Sequence, residues 1–221
     1  MILFIGDVDR SMRDREGFQE VDFSAMFGPL CKWAARIDSA ERIPEYVARA
    51  YATAMSGRPG PVVLALPEDM LLDQVVAMDR PRVTAPEQDP DAAAMAVLMD
   101  MIKNAASPIA IVGGAGWDAG AAEYFAEFAT RIGLPVAAAF RRQDAIANDC
   151  PVYAGNLGYG PNPKLLARIR EADLIIAVGA RLGEATTDGY SLITPDHPGQ
   201  QLVHVHPDPV ELNSVYRTDL P

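Results

Sequence analysis

Short apolar runs between turn-forming residues recur along this chain, and the clearest of them covers residues 62–66. The stretch 56–61 before it contains two glycines and two prolines, and Pro67 follows it. Glycine permits left-handed backbone and proline removes a backbone donor, so the chain turns sharply on both sides of the run. Five consecutive apolar residues without polar alternation favour an interior strand of a parallel sheet.

The remaining N-terminal residues predict two further strands and one helix. Apolar runs indicate strands at 2–5 and 33–37. Residues 41–55 carry apolar side chains at helical spacing, with Ser39 as the predicted cap and Gly57 as the stop. Together with the run at 62–66, these elements make up a partial α/β segment.

From residue 89 onward, strands and helices alternate regularly. We expect strands at 109–112, 134–139, 174–178 and 202–205, and helices at about 89–105 (capped by Asp89), 118–132 and 162–171. Such alternation predicts right-handed βαβ units and a Rossmann-like parallel sheet with helices on both faces. Residues 67–88 hold three prolines and several carboxylates, which is typical of an extended linker.

Composition narrows the classes of partner. The chain has 221 residues and a formal net charge of −11, which argues against nucleic acid or an anionic membrane as a partner. Its apolar runs are too short for a membrane helix, which needs about 18–20 apolar residues. The two cysteines, Cys31 and Cys150, form no C-x-x-C pattern, so we expect free thiols and a cytoplasmic protein.

The loop that follows the strand at 109–112 matches a dinucleotide-binding spacing. Gly114, Gly116 and Ala119 satisfy G-x-G-x-x-[GA], in which glycines let the backbone approach a pyrophosphate. The acidic residue expected about 20 positions later, which would hold a ribose hydroxyl, is missing. Arg141 and Arg142 follow the next strand instead and would suit a phosphate. A tight turn without a ligand remains an equal alternative.

The three histidines allow a metal site but do not favour one. His204 and His206 alternate along a predicted strand and therefore share a face, and His197 in the preceding loop would make a third ligand. No cysteine or carboxylate completes a familiar metal-binding pattern. We therefore interpret the two strand histidines as polar positions near a sheet end and predict neither a metal ligand nor a catalytic residue in this chain.

Two motifs in order carry a family resemblance. The segment G-F-Q-E-V-D at 17–22 and the segment S-G-R-P-G-P-V leading to P-E-D at 56–69 resemble the end of the first domain of thiamine diphosphate-dependent enzymes, the superfamily of acetolactate synthase and benzoylformate decarboxylase. The resemblance continues at 108–114, 153–158 and 173–181. It implies that 1–66 is the C-terminal part of a pyrimidine-binding domain, 67–88 a linker and 89–221 the central domain.

In that family the central domain binds FAD in acetolactate synthases, ADP in some acyl-coenzyme A relatives and nothing in many others. The positions that match nucleotide-contacting segments are Gly113, Gly114, Gly116, Arg141, Gly155, Gly179 and Arg181. Two departures weigh against FAD. The sequence R-L-G-E-A at 181–185 replaces the R-F-D-D-R of the synthases, and His206 stands where they carry an aspartate.

The resemblance also implies a substrate channel. Phe18 and Gln19 match residues that line the thiamine site, and Glu68 stands where acetolactate synthases carry a lysine. A charge inversion in a substrate channel selects differently charged substrates. Acetolactate formation is therefore not the safe expectation.

The resemblance implies a fragment of a larger enzyme. The glutamate that activates thiamine would precede Met1, and the motif that holds Mg²⁺ and the diphosphate would follow Pro221. We expect the full-length enzyme to use thiamine diphosphate and Mg²⁺ on a 2-oxo acid as a homodimer or tetramer, and this chain alone to be inactive.

Two alternatives stay open. One is a free-standing Rossmann-like NAD(P)- or FAD-binding module or oxidoreductase. The other is a structural piece that pairs with its own copies through the strands at 1–6 and 62–66, which lack partners nearby in the sequence.

Overall fold

The computed structural model describes residues 1–85, 89–193 and 199–221. The chain divides into two compact units, Met1–Glu87 and Gln88–Pro221, called here the first and second unit. Each unit contains its own parallel sheet. In a parallel sheet all strands end at the same side, which we call the carboxyl edge of that unit.

The first unit is built on three parallel strands, β1 (Ile2–Asp7), β2 (Trp33–Arg36) and β3 (Val62–Pro67), with β3 in the middle. The helices are α1 (Phe23–Phe27) and α2 (Ile43–Met55). The idea that the strands at 1–6 and 62–66 lack partners is wrong, because Ile2 to Asp7 pair with Val62 to Pro67 in register. Parallel neighbours are joined by long crossovers, so the partner of β1 lies far away in the sequence.

The core of the first unit lies between α2 and one face of its sheet. Val62 and Leu64 of β3 pack with Ala50 and Ala54 of α2. The helix begins at Ile43 and not near 41, because Ser39 opens a separate 3-10 turn and makes no side-chain capping bond.

The described residues of the second unit form three α-helices and five strands. They are α3 (Ala92–Asn104), β4 (Pro108–Val112), α4 (Ala119–Ile132), β5 (Val136–Ala138), β6 (Tyr153–Asn156), α5 (Pro163–Arg170), β7 (Leu174–Val178) and β8 (Gln201–Val205). The strands are all parallel, in the order β6-β5-β4-β7-β8. This is the doubly wound order, in which the connections reverse direction between β4 and β7.

Both faces of the second sheet are covered by helices. Ile109 and Ile175 pack on the side of α5 with Leu165 and Ile169. Neighbouring strand residues such as Ala110 and Leu174 pack on the opposite side, with Leu98 of α3 and Ala129 of α4. The predicted fold class, a Rossmann-like parallel sheet with helices on both faces, is confirmed.

Local signals fix most element boundaries of the second unit. Asp118 and Asn162 cap α4 and α5 through their side chains, and Gly133 ends α4 in the left-handed conformation. The cap of α3 is Asp91 and not Asp89, since the side chain of Asp91 accepts from Ala94 N at 3.1 Å. Strand β6 was not among the predicted strands.

The described residues of the first unit that follow β3 have little regular structure. A 3-10 turn covers Met70–Leu72, and no helix or strand forms at 73–85. Residues 86–88 lie outside the described residues, so the linker at 67–88 stays a prediction. Within the described part of the chain, no helix is long and apolar enough to cross a membrane.

Candidate functional site

The loops after β4 and β7 meet at the carboxyl edge of the second unit, where the strand order reverses. Gly114 has φ +73°, and a Cβ built on it would lie 1.7 Å from the carbonyl oxygen of Gly179. A Cβ on Gly179 would lie 2.6 Å from the carbonyl oxygen of Gly113. Trp117 donates its indole N–H to that same oxygen at 2.7 Å. These glycines therefore allow one loop to lie directly against the other.

Gly116 is the glycine of this loop with open surroundings. Its φ is +89°, and no atom lies within 4 Å of the position where a Cβ would stand. Asp118 then opens α4, and its carboxylate accepts from Ala121 N at 2.8 Å. The N-terminus of α4 is thus already bound by a negative charge from the chain itself.

The two arginines after β5 have different surroundings. Arg141 is exposed at φ +60°, with its guanidinium 5.0 Å from the centre of the Phe140 ring. Arg142 binds both carboxylate oxygens of Asp144, at 2.9 and 3.1 Å. This bidentate hydrogen bond lowers the pKa of Asp144.

The loop after β7 carries a third arginine, Arg181, and a carboxylate, Glu184, and each contacts a side chain from another loop. Arg181 is exposed, and its Nε lies 3.2 Å from the carboxylate of Glu211, whose side chain is 11% exposed. Tyr159 donates its hydroxyl to Glu184 at 3.1 Å, which raises the pKa of Tyr159. Both contacts join loops that leave different strands of the same edge.

Gly155 lies apart from this group. It is a residue of β6, beside an irregularity in the pairing with β5, and a Cβ on it would lie 3.3 Å from Leu165 of α5. The structure therefore brings Gly113, Gly114 and Gly179 into contact and places Gly116, Arg141 and Arg181 on loops at the same edge. Gly155 contributes to helix–sheet packing instead. The assignment of these residues to a nucleotide stays a prediction.

His204 in β8 and His206, which directly follows β8, have ring centres 5.8 Å apart. His204 is buried and its Nε2 lies 2.9 Å from Ala180 O, and burial lowers its pKa. His206 accepts from Asp208 N at 3.1 Å. His197 lies outside the described residues. Among the residues that are described, no group of three His, Cys, Asp or Glu side chains could hold a metal ion.

A small cavity of about 30 Å³ lies beside Arg181, His204 and Glu211. Tyr216 also lines it, and the buried hydroxyl of this side chain has no well-oriented hydrogen-bond partner among the described residues. The volume suits one water molecule. Sequence reasoning missed Tyr216 and Glu211, since neither stands in a motif and both reach the cavity through the tertiary fold.

The predicted channel residues lie on loops at the carboxyl edge of the first unit. Phe18 is 90% exposed, and Gln19 has φ +64°. Their loop is held by the Glu20 carboxylate, which accepts from the backbone N–H groups of Asp14 at 2.6 Å and Gly17 at 2.9 Å. Glu68 is exposed just after β3 and donates its backbone N–H to Asp7 O at 3.1 Å.

A charged crevice of about 340 Å³ opens at this same edge. Asp7, Arg36 and Asp38 line it, and so does Glu20. Asp7 is buried, and its carboxylate lies 3.0 Å from the Arg36 guanidinium. Sequence reasoning missed the crevice, although Asp7 stands at the carboxyl end of β1, which is where parallel sheets carry functional side chains.

The chain is similar to proteins of one known family. The family model of the thiamine pyrophosphate enzyme central domain matches residues 95–221. The acetolactate synthase large subunit of Corynebacterium glutamicum is 25% identical over 225 residues, which covers 100% of this chain and 36% of that protein. The corresponding subunit of Parasynechococcus marenigrum is 30% identical, with 100% and 36% covered. A glyoxylate carboligase of Escherichia coli is 28% identical, with 100% and 37% covered.

The chain thus spans a little over a third of the length of these curated relatives. The family model covers more than half of the chain and includes all five strands of the second sheet. The chain belongs to the thiamine pyrophosphate enzyme family, and the match identifies residues 95–221 with the central domain of that family.

Proposed function

We propose that this chain is part of a thiamine diphosphate-dependent enzyme that acts on 2-oxo acids. The observation that carries the proposal is that acetolactate synthase large subunits and a glyoxylate carboligase align along the whole chain, across both units. Thiamine diphosphate, held through Mg²⁺, supplies a site that stabilises a carbanion when it is bound. The family match favours this function over a free-standing NAD(P) module or oxidoreductase.

The first unit would supply part of the substrate channel. Phe18 and Gln19 are exposed, and the Glu20 hydrogen bonds hold their loop in one conformation. Glu68 is also exposed and follows the central strand of the sheet. A carboxylate at this position would repel the carboxylate of a 2-oxo acid that a lysine would attract, so Glu68 would select which substrates enter.

The second unit would act as the structural centre of the enzyme. Its sheet is buried on both faces, which makes it a rigid support for flanking domains. We include in this proposal the division into 1–66, a linker at 67–88 and 89–221, and assembly as a homodimer or tetramer. A cytoplasmic location agrees with the two free cysteines, Cys31 and Cys150.

The proposal is tested by measuring consumption of pyruvate, glyoxylate and benzoylformate with thiamine diphosphate and Mg²⁺. The full-length protein should consume at least one of them, and residues 1–221 alone should consume none. Failure of the full-length protein on every 2-oxo acid would contradict the proposal. Thiamine-dependent turnover by residues 1–221 alone would contradict it as well.

The role of Glu68 is tested separately by E68Q and E68K. Both variants should lower the KM for an anionic 2-oxo acid, with E68K giving the larger change, about tenfold. E41Q removes another exposed carboxylate of the first unit and serves as the matched control. An unchanged KM in E68K would remove Glu68 from the channel.

A further inference from the structure

The point where a doubly wound sheet binds ligands is closed in the second unit. Ligands of such sheets enter the crevice where the strand order reverses, which here lies between β4 and β7. The loops after these strands touch, since Gly114 and Gly179 leave no space for even one added carbon atom. A Cβ on Gly113 would also lie 2.7 Å from Ala139, in the loop after β5. Three loops therefore meet where a pyrophosphate would have to lie.

The positions that would attract phosphates are occupied by carboxylates of the chain. Asp118 binds the N-terminus of α4, where a dinucleotide places its pyrophosphate. Asp144 takes both donors on one side of the Arg142 guanidinium. Glu211 pairs with Arg181 and is largely buried, so it does not turn away easily into solvent.

The other features of the carboxyl edge of the second unit do not provide an alternative site for a nucleotide. Arg141 lies over the Phe140 ring and extends into solvent. Glu184 adds another carboxylate beside Tyr159 on the same edge. The cavity next to Arg181 holds about 30 Å³, far below the roughly 300 Å³ or more of a ligand pocket.

We infer that the second unit does not bind FAD or ADP, because Asp118, Asp144 and Glu211 occupy the places of the phosphates and the loops after β4 and β7 close the crevice. Gly113, Gly114 and Gly179, which match nucleotide-contacting segments of relatives, then serve the packing of loops. This inference is independent of which reaction the enzyme catalyses, since it concerns binding alone.

The test is equilibrium binding of FAD, ADP and inorganic pyrophosphate, by calorimetry, to the full-length protein saturated with thiamine diphosphate and Mg²⁺. The wild-type protein should show no saturable binding of any of them up to about 1 mM. The double variant D144N/E211Q frees Arg142 and Arg181 and removes two negative charges. It should bind inorganic pyrophosphate with a Kd at least about tenfold below the wild-type limit, whereas the closed crevice should still exclude ADP.

Two further variants keep the test decisive. D144N alone should give a smaller gain and changes an exposed side chain, so it leaves the core intact if E211Q destabilises the protein. D100N removes an exposed carboxylate on α3 and should give no gain. Binding of FAD or ADP by the wild-type protein below 1 mM would overturn the inference. A folded double variant without any gain would overturn the role of the carboxylates. Neither outcome bears on 2-oxo acid consumption.

Discussion

Both sheets of this chain are parallel, but their strands differ in how far their side chains are buried. In the first sheet, Leu3 and Phe4 of β1 point to opposite faces and remain 38% and 51% exposed. In the second sheet, the neighbouring residues Leu174 and Ile175 of β7 are both fully buried. The difference follows the position of each strand, since β1 lies at the edge of its sheet and β7 lies in the interior of its own, and the central strand β3 of the first sheet is likewise buried from Val62 to Ala65.

The carboxyl edges of the two sheets also differ. The crevice at the edge of the first unit measures about 340 Å³, whereas the described cavity beside Arg181 in the second unit measures about 30 Å³. In the first unit the opposite charges of Asp7 and Arg36 lie around open space. In the second unit glycines bring the loops together. Of these two cavities, the crevice of the first unit is therefore the one large enough for a ligand.

The largest effect on this comparison should come from opening the closed edge with G114A. The new Cβ would lie 1.7 Å from Gly179 O, and φ of +73° is strained for any residue with a Cβ. Since backbone must move, we expect a loss of about 4 kcal/mol or more in the free energy of unfolding. Urea unfolding measures it.

The matched control is G116A, where φ is +89° but nothing lies within 4 Å of the new Cβ. The added Cβ of G116A strains the backbone but meets no other atom, so we expect the free energy of unfolding to fall by about 1–2 kcal/mol. Equal losses in both variants would show that the loops after β4 and β7 are not in tight contact.

These glycines also show how far sequence reasoning reaches. The spacing of Gly114 and Gly116 identifies a strand–loop–helix junction, and Asp118 marks the start of the helix. The spacing does not reveal that the backbone of Gly179, 65 positions after Gly114, lies directly against Gly114. The order of the strands in the sheet brings these two residues together. Local patterns predict elements, whereas contacts between distant loops depend on topology.

The missed and corrected elements have the same cause. Strand β6 contains Gly155 beside an irregularity in its pairing with β5. Since glycine is unusual inside a strand, the sequence of β6 lacks the run of β-forming residues that would predict it. The pairing of β1 with β3 joins residues 60 positions apart, as with Ile2 and Val62. The Arg181–Glu211 pair likewise depends on the position of the turn after β8. Caps such as Asn162 were predictable because they act within a few residues.

Because Leu174 is buried more completely than Leu3, we expect L174A to lower the free energy of unfolding by about 3 kcal/mol. Leu174 is fully buried between neighbouring strands and helices, and truncation leaves a cavity there. The same substitution at Leu3, which is 38% exposed, should cost less than about 1 kcal/mol. The chain has two tryptophans, one in each unit, so W33F and W117F backgrounds report the unfolding of the units separately. Similar losses at both positions would contradict the unequal burial of these two leucines.

In the second unit, we expect D173N to lower the free energy of unfolding by a smaller amount, about 1–2 kcal/mol. Burial tends to raise the pKa of Asp173, but hydrogen bonds from Ala106 N at 2.6 Å and Ser107 N at 2.9 Å outweigh it and lower the pKa. The amide keeps the shape and loses the charge, so these bonds weaken. D100N, in an exposed pair with Lys103, should change stability by under about 1 kcal/mol. Equal effects would show that the Asp173 contacts are no stronger than a surface pair.

The smallest effect should be a pH dependence of the free energy of unfolding, which arises from His204 beside the closed edge. Burial lowers the pKa of His204, while the hydrogen bond to Ala180 O and the charge of Glu211 oppose that shift, and His206 adds to it. The unfolded chain therefore binds a proton at about pH 6.5 before the folded chain does. Stability is fully present above that pH and is lost as the pH falls below it.

Urea unfolding between pH 7.5 and 5, followed through Trp117, measures this dependence above the range in which carboxylates such as Asp173 titrate. H204Q should flatten the profile, because it removes the buried titrating ring. H206Q should leave the profile sloping, since His204 remains buried against Ala180. If H204Q unfolds with the same slope as the wild-type protein, proton uptake occurs elsewhere and the buried face of β8 does not limit stability. A flattened profile in H204Q alone would place the pH sensitivity in the second unit, beside the loops that close its carboxyl edge.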